Sequence, residues 1–101
     1  MAVYFQLVDR TLLGAAKFND VDALLMKAFP ELPTREDQYL LGWYDAIGLR
    51  IACGRTYEEM RAEFDGYAHE PDNRYAPYYG HLIRILDWLH ERYTFDGWRG
   101  L

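Results

Sequence analysis

The stretch TREDQYLLGWYDAIGLRIACG, Thr34 to Gly54, decides how the rest of the chain is read. Within it Leu40, Trp43, Tyr44, Ile47 and Ile51 recur at i, i+3, i+4, i+7 and i+11, the spacing of one helix face. Thr34 is a good N-cap, and Glu36 and Asp37 put negative charge in the first turn, where the helix dipole favours it. Gly54 stops the run. This pattern predicts the central core helix. Gly42 with Ala46, and Gly48 with Ala52, are small-residue pairs four apart on it. An interior glycine costs about 1 kcal/mol against alanine. Close packing of a neighbouring helix is the simplest compensation, and a ligand-facing surface is the alternative.

Working outward, Val3 to Val8 alternates as a strand, Asp9 to Gly14 supplies turn residues, and Ala15 to Phe18 can return as a second strand. A lone hairpin is marginal in water, so this one is expected to pack on helices. Asn19 or Asp20 is expected to cap a first helix with Val21, Leu24, Leu25 and Ala28 on its apolar stripe, ended by Pro30 and Pro33. Thr56 to Glu59 has the form of a capping box. Tyr57, Met60, Phe64 and Tyr67 continue on one face, with Gly66 near the end. Gly66 to Pro77 reads as the one long loop. A last helix follows from about Pro77 to Tyr93, with Leu82, Ile85, Leu86, Leu89 and Tyr93 as its stripe. Phe95 and Trp98 stand among turn-formers in the tail. The expected fold is thus α+β and mostly helical: a short N-terminal β-hairpin packed on a bundle of about four helices, all in one domain spanning residues 1–101.

The formal net charge is −5, from 16 acids against 11 bases. Gripping a nucleic-acid backbone requires clustered Lys and Arg that displace counterions, so direct nucleic-acid binding is not expected. A basic protein surface is the compatible partner. All but two of the bases, Lys17 and Lys27, are Arg, whose planar fork suits interfaces. One cysteine forbids an internal disulfide and suggests a cytoplasmic setting. The start lacks the pattern of a secretory signal. The longest apolar stretch, Tyr39 to Cys53, is too short to cross a bilayer and contains Asp45 and Arg50, so no membrane partner is expected.

Catalytic constellations are hard to assemble from these residues. The chain contains no serine. Cys53 is expected inside the most apolar helix, four residues after Leu49, where a buried, structural thiol is the usual reading. His81 and His90 lie nine apart and therefore on opposite helix faces, so they cannot share a metal. Asp87 and His90, three apart, can meet as a dyad or form an ordinary surface contact. Asp45 is expected as a buried polar anchor pairing with Arg50 or a helix terminus; an acid of raised pKa in a cleft is the functional alternative. No phosphate loop or dinucleotide fingerprint is present. No catalytic residue, metal or cofactor is therefore assigned, and the chain is read as a non-enzyme.

Two features rise above that background. Glu58, Glu59, Glu63, Asp65, Glu70 and Asp72 crowd into fifteen residues, and Tyr67, Tyr75, Tyr78 and Tyr79 flank the same loop. Taken plainly, the acids are a solvated helix face and the tyrosines pack the core. Taken functionally, they form a negative surface with rigid aromatic contacts, suited to a basic partner. Together with Trp98 they are the predicted protein-binding residues.

The segments GWYDAIGLRIACGRTYEEM, Gly42 to Met60, and YTFDGW, Tyr93 to Trp98, resemble small uncharacterised proteins of phages and prophages, as does the style of YFQLVDRT followed by FNDVD. That resemblance, touching about half the chain, implies a contact-acting inhibitor or adaptor, with anti-CRISPR activity as its most specific form. The expected partner is a host protein or complex with a basic surface. A small assembly protein that self-associates, as a homodimer through Phe95, Trp98 and exposed tyrosines, is the alternative; an enzyme built on Asp45, Asp87 and His90 is a third.

Overall fold

The computed structural model describes residues 7–9, 15–16, 18–32 and 42–94, and these are mostly helical. Helix α1 is Phe18–Ala28. Helix α2 covers 42–52, with a π-helical turn at Tyr44–Gly48 followed by α-helical Leu49–Ala52. Helix α3 is Tyr57–Ala68 and helix α4 is Ala76–Arg92. The short strands are β1 (Leu7–Asp9), β2 (Ala15–Ala16) and β3 (Tyr93–Thr94), in the order β2-β1-β3. Both pairings are antiparallel, with Leu7 opposite Ala16 and Asp9 opposite Tyr93. The greater part of the expected first strand, Val3 to Gln6, lies outside the described residues, as do Thr34 to Leu40 of the expected central helix and both Phe95 and Trp98 of the tail.

The core follows the helical periods. Trp43, Ile47 and Ile51 of α2 meet Met60 and Phe64 of α3 and Leu82, Ile85, Leu86 and Leu89 of α4, with Tyr93 closing one end. Helix α1 adds Val21 and Leu25, and Phe29 and Leu32 follow it into the same cluster. Among the described residues no polar or charged side chain is fully buried. The indole N–H of Trp43 donates to Asp22 at 2.8 Å, so the largest core side chain also ties α2 to α1.

Several sequence expectations meet the structure directly. Thr56 caps α3 through a complete capping box: its hydroxyl accepts from the Glu59 amide at 3.1 Å, and the Glu59 carboxylate accepts from the Thr56 amide at 3.0 Å. Gly54, at φ 85°, takes the left-handed conformation that ends α2. Gly42 is a close-packing position, because a Cβ there would collide with the Tyr78 hydroxyl.

Other expectations need correction. Phe18, expected in a strand, heads α1, and Asp20, expected as a cap, sits within the first turn, where its charge suits the dipole. Leu24 and Ala28, expected on the buried stripe, are exposed; the helix is rolled so that Val21 and Leu25 face inward. Helix α3 continues past Gly66 to Ala68, which shortens the long loop to residues 69–75. That connection is a series of hydrogen-bonded turns, including Asn73 N–H to the Glu70 carbonyl and Ala76 N–H to the Asn73 carbonyl. Cys53, expected to be buried, is exposed, because α2 ends at Ala52 and the thiol-bearing residue is its C-cap.

Candidate protein-contact surface on helix α3

The predicted contact residues divide into two groups once their neighbours are known. Glu63 belongs to the first. Arg50 donates to it twice, from Nε at 3.1 Å and from Nη2 at 2.9 Å, the bidentate geometry that planar guanidinium favours. The same guanidinium lies 5.1 Å from the centre of the Phe64 ring, and its Nη1 donates to the Ala46 carbonyl at 2.6 Å in the π-helical turn. Arg50 therefore staples α2 to α3 with all of its chemistry. The Arg50 hydrogen bonds hold the Glu63 carboxyl below the usual range, and Glu63 raises Arg50 in return. Glu59 is likewise committed, its carboxyl lowered by the Thr56 backbone N–H it accepts in the cap.

The tyrosines are mostly structural as well. Tyr79 packs on Phe64, with ring centres 5.9 Å apart, and on Tyr67 at 4.8 Å, and Tyr78 meets Tyr79 edge-on at 5.5 Å. Tyr67, Tyr78 and Tyr79 are half-buried at the rim of the core. Burial pushes the Tyr78 hydroxyl up. Tyr75 alone of the four stands out, 54% exposed, with its ring against Arg74 at 4.9 Å and its hydroxyl accepting from Arg74 at 2.6 Å.

Toward solvent stand Glu58, Glu59, Asp65, Glu70, Asp72 and Tyr75, of which Glu59 is exposed but tied into the cap. Asp65 lies 3.4 Å from the ring Nδ1 of His69 and 4.0 Å from Arg61. Glu70 accepts from the Asn73 side chain at 3.2 Å, which also reaches the Tyr67 carbonyl at 3.4 Å, and the Asn73 amide oxygen accepts from Tyr75 N–H at 2.9 Å. Asn73 thus fixes the turn that presents Glu70, Asp72 and Tyr75 together. Shallow open depressions lie beside this surface, one lined by Glu70, Pro71, Asp72 and Asn73, another by Tyr57, Glu58, Arg61, Ala62 and Asp65. Trp98 lies outside the described residues.

The residues considered for catalysis are not gathered into one site. Asp45 is exposed on the π-helical turn rather than buried, and Arg50, its expected partner, is taken by Glu63. Asp45 acts on Tyr78 at the start of α4, whereas Asp87 and His90 lie nine and twelve residues beyond Tyr78 on that helix. Asp87 accepts from the Tyr57 hydroxyl at 2.7 Å and from Arg61 Nε at 3.1 Å. The Tyr57 ring stacks on His90 at 3.8 Å and 10°. Tyr57 is therefore the residue that joins Asp87 to His90, and the Asp87 bond pushes its own hydroxyl pKa up. No local signal marks this role, since Tyr57 and Asp87 are 30 residues apart. Among the described residues no group of three His, Cys, Asp or Glu side chains could hold a metal ion, and no helix is long and apolar enough to cross a membrane.

No family model, curated protein or solved structure matches the chain.

Proposed function

We propose that this chain is a phage-type inhibitor or adaptor that acts by stoichiometric contact, using the acidic surface of α3 and the turn after it. The observation that supports this reading most is the run of exposed acids along α3 and into the turn after it, Glu58, Asp65, Glu70 and Asp72, where Asn73 holds Glu70 and the exposed Tyr75. A run of acids that ends beside an exposed aromatic suits a host protein with a basic surface, including a basic site that normally receives nucleic acid. Anti-CRISPR activity in the cytoplasm is the most specific form of the proposal, and it draws on the resemblance to phage proteins. On the fold, we propose that the short pairings of β1, β2 and β3 belong to an N-terminal hairpin packed on the helices.

The test separates surface acids from structural ones. Glu58→Lys, Asp65→Lys, Glu70→Gln, which keeps the acceptor for Asn73, and Asp72→Lys in one variant should abolish capture of a target from the host while circular dichroism is unchanged. Reversing Glu59 and Glu63 would confound the test, because their carboxylates hold the cap and the Arg50 staple. Undiminished capture by the fourfold variant would remove this surface from the proposal.

A further inference from the structure

Helix α1 carries a second surface, distinct from the one on α3. Its inward face is Val21 and Leu25. At ~100° per residue, Asp20, Ala23, Leu24 and Lys27 fall together on another face, at i, i+3, i+4 and i+7, and all are exposed. Leu24 is 41% exposed. The face is apolar at its centre, small at Ala23, and charged at its two ends with opposite signs.

That arrangement complements itself. A two-fold axis passing between Ala23 and Leu24, perpendicular to the helix, reverses the direction of α1 and sets position 20 of one copy opposite position 27 of the other. Asp20 then meets the partner copy's lysine, and Lys27 its aspartate, while the leucines pack together beside the alanines. Ala23 allows the axes to approach at the lower end of ordinary helix spacing, about 8 Å. An isologous contact requires such a self-complementary pattern. We propose that this face of α1 is a homodimer contact between two antiparallel copies of α1. One short helix face covers far less than the roughly 800 Å² per partner of a standard interface, so the dimer is weak and depends on concentration.

Sedimentation of the full chain from micromolar to millimolar concentration tests this. The wild type should pass from monomer to dimer across that range. Asp20→Lys alone and Lys27→Asp alone place like charges opposite one another, and each should raise the midpoint about tenfold. The double variant should restore the dimer, and a one-to-one mixture of the two single variants should form a heterodimer with a lower midpoint than either single variant alone. Leu24→Gln, at an exposed position away from the charged ends, should weaken the dimer without altering helix content by circular dichroism. A wild type that stays monomeric at millimolar concentration overturns the proposal, as does a dimer whose midpoint ignores the reversals or a mixture that fails to associate.

Discussion

Arg50 and Glu63 face each other from α2 and α3 through two hydrogen bonds of 3.1 and 2.9 Å. Both are mostly covered, at 30% and 25% side-chain exposure, so the pair is screened less than a surface ion pair. Replacing Arg50 with Met removes the ion pair, the cation–π contact and the bond to the Ala46 carbonyl together. We expect a loss of about 1–3 kcal/mol, read from denaturant unfolding. Glu63→Gln should cost less, because the ring contact and the carbonyl bond survive it.

The same pair sets a pH dependence. Arg50 lowers the folded-state pKa of Glu63 below its value of 4.5 in the unfolded chain. A depressed carboxylate binds its proton more readily when unfolded, so its stabilisation is present above pH 4.5 and is lost as pH falls through the folded value. Chemical unfolding across pH 3 to 7 should therefore show a decline on the acid side. Glu63→Gln should flatten it in part, leaving the contribution of Glu59, which its cap also depresses.

Helix α3 begins on a hydroxyl. Thr56→Ala deletes the acceptor for the Glu59 amide and should destabilise the protein by about 1 kcal/mol, with Thr56→Ser close to wild type. Thermal melts of the three proteins check the order.

Gly42→Ala offers a case in which helix propensity and packing oppose each other. Alanine is favoured in a helix by about 1 kcal/mol, but its methyl group would collide with the Tyr78 hydroxyl. Overpacking of this kind costs typically about 1–3 kcal/mol, so a net loss is expected. Tyr78→Phe removes the colliding oxygen, and the double variant should recover stability relative to Gly42→Ala alone.

Tyr57 links α3 to α4 through its hydroxyl on Asp87 and its ring on His90. A double-mutant cycle of Tyr57→Phe with Asp87→Asn should give a coupling of about 0.5–1.5 kcal/mol. Additive losses would mean that the charge of Asp87 adds nothing to the hydroxyl contact, since the amide oxygen introduced by Asp87→Asn can still accept from Tyr57.

What could be read in the sequence was what neighbours along the chain determine. The capping box needs only Thr56 and Glu59, the end of α2 only Gly54, and the stripe of α4 only its own period. Side chains whose partners lie far along the chain carry no such local signal. The sequence expectation pairs Asp45 with Arg50 or a helix terminus, whereas Arg50 reaches thirteen residues on to Glu63. The π-helical turn has no local signature, and it interrupts the i, i+4 register that the apolar stripe suggested. On the candidate surface, composition alone marks the acids and tyrosines as a group. It could not separate Glu63, Tyr67, Tyr78 and Tyr79, half-buried in the fold, and Glu59, tied into the cap, from the outward-facing Glu58, Asp65, Glu70, Asp72 and Tyr75.

The exposure of Cys53 has a practical consequence. It is the only cysteine in the chain, and it stands at the C-terminal end of α2, three residues before the cap of α3. A maleimide dye can therefore be attached to the native protein at one defined position without any engineered thiol. Glu58 is five residues further on, so the dye would sit near the start of the proposed acidic contact. Changes in its emission or anisotropy would follow a partner arriving there, and dye pairs on mixed samples would follow association of two copies through α1.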